Sequence, residues 1–352
     1  MQWNVVIVGA TGAVGQEILS ILDQRSFPVG ELRLLSSPRS AGQRVAFRGR
    51  DHTLGLATPE AFAGAHVVIF SAGSATSKQL APAAAKAGAL VIDNSSAFRM
   101  DPGVPLAIPE VNPDSIPRYA PGRGSIVAVP NCSTIIMLMA LAPLHRALGV
   151  RRAVVSTYQA VSGAGAKAME ELRAQATDVL AGRPAQPSVF HEPCAFNVFS
   201  HDSAMDPATG SNVEETKMVS ETRKILGPDA PRIAPTCVRV PVMRAHCVSA
   251  TVTLGRLATL AKVRDTLSKA PGVRLVDDRA TNRFPTSLKA TGGDDVLVGR
   301  LRVDPSQSER APAEITAESP ESGFSMFIAG DQLRKGAALD AVQIAETALG
   351  IA

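Results

Sequence analysis

The chain has 352 residues, enough for about two domains, and its 45% hydrophobic and 19% charged content excludes an intrinsically disordered protein. The net charge of +4 at pH 7 is modest and no run of five basic residues occurs, so nucleic-acid binding is not expected. The absence of a secretory signal pattern and of a bilayer-length apolar run predicts a soluble, cytoplasmic protein without membrane partners.

The N-terminal segment is predicted to form a strand, a glycine-rich turn and a helix. Residues 5–8 are apolar, and residues 16–23 form an amphipathic segment. Glycines between them allow a tight turn and the close approach of a pyrophosphate, which would bind at the helix N-terminus. The alternative is a tight turn that binds nothing. The predicted cofactor contacts of this turn are Gly9, Thr11, Gly12, Ala13, Val14 and Gly15.

The second predicted strand, residues 31–35, ends without the acidic residue that usually holds the ribose of NAD. Three hydroxyls and a guanidinium follow instead, and they suit the 2′-phosphate of NADP. A solvated basic loop is the alternative interpretation. The predicted contacts are Ser36, Ser37, Arg39 and Ser40.

Further strand–helix–strand units extend a parallel sheet. Strands are predicted at residues 67–70 and 89–92, with a helix at 78–87 between them. Ligands bind at the carboxyl ends of such strands, where small residues occur here. Arg99 ends the next polar loop and is either a phosphate anchor or a surface charge. The small residues predicted to contact the cofactor are Ser71, Ala72, Gly73, Ala75 and Thr76.

Cys132 is predicted to lie in the first turn of a helix that follows a strand at residues 126–129. Asn131 or Ser133 can cap that helix. The positive end of a helix stabilises a thiolate, so the position suits a nucleophile. Considered alone, this stretch favours the interpretation of Cys132 as a buried packing residue. The other cysteines form no C-x-x-C pair, so neither a metal site nor a disulfide framework is expected.

The second half combines helices with consecutive strands, which predicts a mixed or largely antiparallel sheet. Helices are predicted at residues 166–180, with Glu170, Glu171 and Arg173 on the exposed face, and at 213–226, whose acidic first turn is explained by capping alone. Further elements are predicted at 153–160, 259–270, 296–303, 324–328 and 337–349.

Residues 232–254 are predicted to form two strands, interrupted near Pro241. In an unbroken strand Arg239 and His246 would face opposite sides, so a shared site requires a distortion at this proline. A nicotinamide domain with a cysteine at a helix start suggests aldehyde chemistry through a thioester. His246 is then the candidate proton shuttle, and arginines 99, 239 and 244 are candidate partners for an acidic substrate.

Seven segments, in order and spread over nearly the whole chain, resemble the aspartate-β-semialdehyde dehydrogenase family. The segments are residues 9–15, 93–99, 130–134, 158–165, 214–217, 239–246 and 331–337. The resemblance implies an α/β protein: an N-terminal Rossmann-like NADP-binding domain, residues 1–131 with 331–352, and an α+β catalytic and dimerisation domain with a mixed sheet, residues 132–330.

The resemblance also implies a reaction. NADPH reduces L-aspartyl 4-phosphate to L-aspartate 4-semialdehyde and phosphate, in the biosynthesis of lysine, diaminopimelate, threonine and methionine. The expected assembly is a homodimer or a tetramer.

Residue roles follow from the same resemblance. Cys132 matches the nucleophile, His246 the acid/base catalyst and Gln159 the residue that orients the thioester. Arg239 matches the partner of the substrate carboxylate, and Glu214 lies near its amino group. The residues that match the phosphate site are Arg99, Asn131 and Lys217. The remaining predicted cofactor contacts are Asn94, Ser162, Gly163 and Gln332, the last standing where asparagine is common in the family.

Three other functions compete with this prediction. A sister acyl-phosphate reductase, such as one acting on N-acetylglutamyl phosphate, would use the same chemistry on a longer substrate. A non-catalytic paralogue would be expected to lack the equivalent of Cys132 or His246, and both are present. A redox sensor would need only an exposed cysteine of low pKa.

Overall fold

The computed structural model describes residues 1–351. The chain forms two compact units, Met1–Asn131 with Gly336–Ala352, and Cys132–Lys335. Across the described residues, every helix is too short or too polar to cross a membrane. Cys132, the predicted nucleophile, is the first residue of the second unit.

The chain contains fifteen strands and eight α-helices within the residues that the structure describes. The strands are β1 Trp3–Val8, β2 Val29–Ser36, β3 Arg44–Phe47, β4 Arg50–Thr53, β5 Gly55–Leu56, β6 Val67–Phe70, β7 Leu90–Asp93, β8 Ser125–Ala128, β9 Val150–Gln159, β10 Phe199–Ser200, β11 Arg232–Arg239, β12 His246–Ala258, β13 Val273–Leu275, β14 Val296–Val303 and β15 Glu321–Gly330. The helices are α1 Ala13–Gln24, α2 Ser74–Lys86, α3 Cys132–Leu148, α4 Ala166–Leu180, α5 Val213–Leu226, α6 Leu260–Ser268, α7 Ser287–Ala290 and α8 Leu339–Leu349.

The first unit is built on a six-stranded parallel sheet in the order β5-β2-β1-β6-β7-β8. Its central strands are buried along their whole length, as in β6, which explains their continuous runs of Val and Ile. The predicted N-terminal parallel sheet is confirmed. The sheet places the carboxyl ends of β1, β2, β6 and β7 along one edge, where ligands bind in this class of fold.

A hairpin formed by β3 and β4 was not predicted from the sequence. Its turn contains Arg48 and Gly49, which both have positive φ, as the tight two-residue hairpin turns require. Strand β4 is polar, and Phe47 is the one buried residue of the two strands, so they show no alternation of buried apolar and exposed polar residues. The glycine after an arginine was the only signal for this turn.

The second unit contains a mixed seven-stranded sheet in the order β10-β11-β9-β12-β15-β14-β13. The β11–β9 and β13–β14 pairs are parallel, and the other pairs are antiparallel. This confirms the predicted mixed sheet. Helix α3 packs against β9, β12 and β15, with α5 and α6 beside it. Its burial on nearly all sides explains its almost uniformly apolar sequence.

The predicted interruption near Pro241 is confirmed. Strand β11 ends at Arg239, and β12 begins at His246. The two strands then lie on opposite sides of β9, with Arg239 paired to Gln159 and Cys247 paired to Tyr158. Because the chain leaves the sheet and re-enters it, strand parity no longer separates Arg239 from His246.

Two details of the prediction are wrong. Glu171 does not lie on an exposed face of α4, because it is buried and accepts hydrogen bonds from Ser188, Val189 and Gln175. The loop after α4 folds over this side of the helix. The final helix also starts later than residue 337, because residues Arg334–Ala338 form a π-helical turn before α8.

Candidate active site

A cavity of about 440 Å³ lies at the carboxyl ends of the strands of the first unit. It is formed by the glycine turn after β1, the loop after β2 and the segment that leads from β6 into α2. Ten of the residues predicted to contact the cofactor line it. They are Gly9, Thr11, Gly12, Ser36, Ser37, Arg39, Ser40, Ser71, Ala72 and Thr76.

The charge of this cavity suits an anion. Arg39 lines it and is exposed, and among the described residues no carboxylate lines it. The serines at the end of β2 and in the loop after it are close to Arg39 in sequence and line the same cavity. A cavity lined by hydroxyls and one arginine offers the donors that a 2′-phosphate needs.

The three glycines of the first turn have different structural roles. A Cβ on Gly9, which has φ +92°, would lie 2.8 Å from the Ser71 carbonyl oxygen, and a Cβ on Gly15 would lie 2.3 Å from the Gly9 oxygen. Both glycines therefore permit close backbone packing. Gly12, which precedes α1, has more room, with the nearest atom 3.5 Å away. It leaves the helix N-terminus uncovered beside the cavity, as a bound pyrophosphate requires.

Several other predicted cofactor residues lie outside the lining of the cavity. Ala13, Val14 and Gly15 form the first turn of α1. Gly73, with φ +84°, precedes α2, and Ala75 lies in its first turn.

Asn94 follows β7 in the same unit. Its Nδ2 donates to the Phe70 carbonyl oxygen at 3.1 Å, and its buried Oδ1 has no hydrogen-bond partner. An unsatisfied acceptor at the end of a strand is costly in the free protein and marks a place where a ligand donor would be accommodated.

Arg99 is buried in the first unit, so its interpretation as a surface charge is wrong. Only 8% of it is exposed, its Nε donates to the Val129 oxygen at 2.9 Å, and its Nη2 donates to the Asn94 oxygen at 3.1 Å. Both acceptors are neutral carbonyls. Val129 lies two residues before Asn131, which is also buried. The fold therefore holds the guanidinium against the segment that leads to Cys132.

Cys132 begins α3 and is partly exposed, whereas the other three cysteines are buried. Burial raises the pKa of Cys237 and of Cys247 to about 12, and it raises the pKa of Cys194. These three remain thiols at neutral pH. Cys132 is the cysteine that combines access with a helix N-terminus, which favours the thiolate.

Gln159, at the end of β9, links the start of α3 to the start of α5. Its Nε2 donates to Ser133 Oγ at 2.6 Å and to Glu214 Oε1 at 2.9 Å. Its Oε1 is buried without a partner. Lys217, one turn along α5, lies 3.3 Å from Glu214 Oε2. Ser133, the residue after Cys132, is thus linked through the Gln159 amide to the Glu214 carboxylate, which lies beside the Lys217 ammonium group.

The two acids at the start of α5 have separate roles. Glu215 forms a capping box with Asn212, so capping explains this residue. Glu214 is buried and bonds to Gln159 and Lys217. Capping alone, the interpretation favoured by the local sequence, therefore does not account for Glu214.

Arg239 is almost fully buried and its guanidinium is already engaged. Its Nη1 donates to the Ala160 oxygen at 2.9 Å, and its Nε and Nη2 donate to Asp202 Oδ1 at 3.1 and 2.7 Å. Its Nη2 also lies 2.9 Å from His201 Nε2. The guanidinium holds the pKa of Asp202 below its usual range despite burial of that carboxyl, and burial lowers the pKa of His201.

His201 and Asp202 were not predicted as site residues. They lie in an irregular segment with no periodic pattern, and no local motif marks them. The one available signal was a histidine next to an acid in a long loop. Only the pairing of β10 with β11, which brings this segment beside Arg239, reveals their position.

His246, the first residue of β12, is completely buried and is oriented by the main chain. Its Nδ1 accepts a hydrogen bond from the Ala160 N–H at 3.0 Å. The proton of the neutral ring therefore resides on Nε2, which is buried without a partner. Burial, followed by the neighbouring Arg239 charge, lowers the pKa of His246 to about 3. The ring is a neutral N–H donor at physiological pH.

The turn after β9 lies against both His246 and Arg239. A Cβ on Gly163 would lie 3.3 Å from His246 Nε2 and 3.5 Å from Arg239 Nη1. Any side chain at this position would crowd the imidazole nitrogen. Ser162 in the same turn is buried and accepts a hydrogen bond from Gln332.

The second unit thus places six of the predicted site residues around the end of β9. Each of them contacts another residue of this group or is next in sequence to a residue that does. They are Cys132, Gln159, Glu214, Lys217, Arg239 and His246. The first unit contains the ten cavity residues. It also holds Arg99 against Val129, which lies two residues before Asn131. Two buried atoms of this group, Gln159 Oε1 and His246 Nε2, have no hydrogen-bond partner and are therefore candidate ligand contacts.

Comparison with known proteins identifies both halves of the chain. Residues 4–119 match the family described as semialdehyde dehydrogenase, NAD binding domain. Residues 141–335 match the family described as semialdehyde dehydrogenase, dimerisation domain.

Similar proteins cover nearly the whole chain. It is 47% identical over 345 residues to the aspartate-semialdehyde dehydrogenase of Synechocystis sp., covering 97% of this chain and 96% of that protein. It is 42% identical to the Bacillus subtilis enzyme of the same name, covering 98% and 96%. Its fold matches the crystal structure of aspartate semialdehyde dehydrogenase II from Vibrio cholerae complexed with ASA, with a TM-score of 0.89, 41% identity and coverage of 99% and 98%.

Proposed function

The chain belongs to the aspartate-semialdehyde dehydrogenase family, and we propose that it carries out this family's reaction with the residues described above. The enzyme reduces L-aspartyl 4-phosphate to L-aspartate 4-semialdehyde and phosphate, in the biosynthesis of lysine, diaminopimelate, threonine and methionine. The observation that carries the proposal is the cluster at the end of β9, where an accessible helix-start cysteine accompanies a buried N–H donor and a buried arginine.

The cofactor is NADP(H), and the first unit fits it. The uncovered N-terminus of α1 suits the pyrophosphate, and the cavity holds hydroxyls and Arg39 but no carboxylate among the described residues. When bound, NADPH supplies the hydride that reduces the acyl group. We assign cofactor binding to the first unit, and catalysis and dimerisation to the second unit.

Cys132 supplies the nucleophile. Its sulfur forms a bond to the acyl carbon of aspartyl phosphate, the bond from that carbon to the phosphate oxygen breaks, and phosphate leaves with the electron pair. The product is a thioester on Cys132. Addition of a hydride to this carbonyl and departure of the thiolate give the aldehyde and regenerate the enzyme.

His246 acts as the proton donor of the site. Its Nε2–H is the free donor because the Ala160 N–H occupies Nδ1. We propose that this N–H is directed at the carbonyl oxygen of the acyl group, where negative charge develops as the sulfur or the hydride adds. A role as base would require the proton to move to Nδ1, which would break the bond to Ala160.

Arg239 and Glu214 bind the amino-acid part of the substrate, and Gln159 orients the acyl group. Three of the five N–H groups of Arg239 donate to Asp202 and Ala160 and a fourth faces His201 Nε2, so a carboxylate that binds it through two N–H groups must replace existing partners. Asp202 is the partner that resembles the substrate, and it is the most exposed of them. The substrate carboxylate therefore competes with Asp202.

Phosphate binding is assigned to Arg99, Asn131 and Lys217. The assignment is supported by the burial of Arg99 and by its bonds to two backbone carbonyls, which hold the guanidinium against the segment that leads to Cys132. We further propose that the enzyme works in the cytoplasm as a homodimer. Sedimentation at micromolar concentration would reveal a tetramer in its place.

The test of the function is an assay with two aldehydes. NADP reduction by aspartate semialdehyde should require phosphate, because phosphate releases the acyl group from Cys132. N-acetylglutamate semialdehyde is the matched comparison, since its oxidation uses the same chemistry on a longer chain. Turnover of that compound alone would identify a sister reductase, and absence of turnover with both would identify a non-catalytic paralogue or a redox sensor.

A further inference from the structure

We propose that Gln332 and Asp331 are positioning residues that fix His246 by holding the connection between β11 and β12, residues 240–245. This inference rests on the proposed function, because it concerns the proton donor of that reaction. It assigns to Gln332 a task different from the cofactor contact predicted from the sequence.

The residue directly before His246 has an unfavourable backbone conformation. Ala245 has φ +71°, in the left-handed region that residues with a Cβ seldom adopt, and it is buried. It is one of few non-glycine residues in this conformation among the described residues. Such a conformation persists only where its surroundings hold it, and it is common next to functional residues.

Gln332 holds this position directly. Its Oε1 accepts a hydrogen bond from the Ala245 N–H at 2.8 Å, and its Nε2 donates to Ser162 Oγ. Only 2% of Gln332 is exposed. One side chain therefore ties the residue before His246 to the turn after β9, whose Gly163 lies against the imidazole.

Asp331 holds the neighbouring residue. Its Oδ2 accepts from Arg244 Nε at 2.7 Å and from the Gly292 N–H at 2.6 Å, while its Oδ1 accepts from the Leu333 N–H at 3.0 Å. Asp331 is completely buried. Arg244, one of the three arginines considered for the substrate, is thus a structural partner of Asp331.

The turn after β9 holds the same connection at its other end. The N–H groups of Val161 and Ser162 donate to the carbonyl oxygens of Val242 and Met243 at 2.9 and 3.2 Å. The preceding N–H, that of Ala160, donates to the imidazole itself. Gln332 therefore closes a ring of contacts through Ser162 and Ala245 that sets where His246 Nε2 points.

The decisive experiment uses substitutions at Gln332 and Ala245. Gln332→Ala should lower kcat roughly 10- to 100-fold, the effect of a small displacement of a reacting group, and leave the Kd for NADPH within about twofold. Adding Ala245→Gly should restore most of kcat, because glycine adopts positive φ without support. Ala245→Gly alone should keep near wild-type activity.

Two further variants serve as matched controls. Gln332→Glu retains an acceptor for Ala245 and should keep more activity than Gln332→Ala. Gln343→Ala removes a glutamine that bonds to Glu110 in the first unit and should leave kcat unchanged. Thermal unfolding of each variant identifies any that fail to fold, and then the Gln332→Glu and double variants decide.

Two results would overturn the proposal. A large rise in the Kd for NADPH in Gln332→Ala with unchanged kcat would assign Gln332 to the cofactor alone. Failure of Ala245→Gly to restore kcat in the folded double variant would show that the Ala245 conformation is not what Gln332 protects. Failure of the proposed function is seen separately, in the wild-type assay with aspartate semialdehyde.

Discussion

The cavity of the first unit and the polar cluster of the second unit are built in opposite ways. The cavity is lined by small side chains and hydroxyls, with one exposed arginine and an uncovered helix N-terminus. The cluster consists of long polar side chains that are buried and already bonded to one another, such as Gln159 to Glu214 and Arg239 to Asp202. The cavity offers a ligand open space and backbone groups, whereas the cluster is a network of hydrogen bonds that exists before a ligand binds.

The two sites are therefore expected to respond differently to substitution. The cavity offers open space, and the lining hydroxyls of Ser36 and Ser71 bond to backbone carbonyls and not to other side chains, so each of its groups should act nearly independently. In the cluster a ligand competes with existing partners and a substitution disturbs its neighbours, so effects should be larger and coupled.

The largest effect is expected in the cluster, at His246. His246→Gln should lower kcat by roughly 10²- to 10⁴-fold, the usual contribution of a positioned proton donor. The KM for aspartate semialdehyde should change little, because His246 is not assigned to substrate binding. Steady-state kinetics measure this split, and a variant that mainly raises KM would contradict the assigned role.

The burial of His246 also predicts a dependence of stability on pH. The folded-state pKa of about 3 lies below the unfolded value near 6.5. Only the unfolded chain therefore takes up this proton as pH falls through 6.5, and the free energy of unfolding decreases by about 2 kcal/mol between pH 6.5 and pH 5. Urea denaturation at both pH values should show a smaller loss in His246→Gln. An identical loss in both proteins would be inconsistent with a buried neutral imidazole.

The next effect is expected in the cavity, at Arg39. Arg39→Ala should weaken NADPH binding roughly tenfold or more, the usual loss for a hydrogen bond to a charged group, and leave NADH binding unchanged. Arg44→Ala is the matched control, because Arg44 is an exposed arginine nearby in sequence that does not line the cavity. Equal losses for both cofactors, measured by fluorescence titration, would rule out a contact with the 2′-phosphate.

The smallest effect is expected at the boundary between network and ligand, Asp202. Asp202→Asn should lower the KM for aspartate semialdehyde by about 3- to 10-fold, because it removes the charge that competes with the substrate carboxylate for Arg239. The value of kcat should stay nearly constant. Inhibition by succinate should strengthen in parallel. A raised KM would instead mean that Asp202 orients Arg239 for the substrate.

The cavity was largely predictable from the sequence because its parts lie on consecutive strand–turn–helix units. The glycines at 9, 12 and 15 and the serines around Arg39 each follow a strand, and a parallel sheet brings strand ends to one edge. The helix at 213–226 and the strands at 67–70 and 296–303 were predicted with the bounds that the structure has. Strong periodicity and clear turn residues explain this agreement.

The cluster was not predictable from local pattern in the same way. Its members are spread from Cys132 to His246, and their contacts depend on β11 and β12 lying on either side of β9. The sequence showed that Pro241 must interrupt a strand, but not that Ala245 adopts positive φ or that Gln332 holds it. His201 and Asp202 carry no motif, and the burial of Glu171 depends on a loop that folds back over α4.

The most direct test of the central claim is detection of the acyl enzyme. The enzyme is mixed with aspartate semialdehyde and NADP in the absence of phosphate, quenched in acid and analysed by peptide mass spectrometry. One aspartyl group should appear on the peptide that contains Cys132, disappear when phosphate is added, and be absent in Cys132→Ala. An adduct on Cys194, Cys237 or Cys247, or continued turnover by Cys132→Ala, would contradict the assignment of Cys132 as the nucleophile.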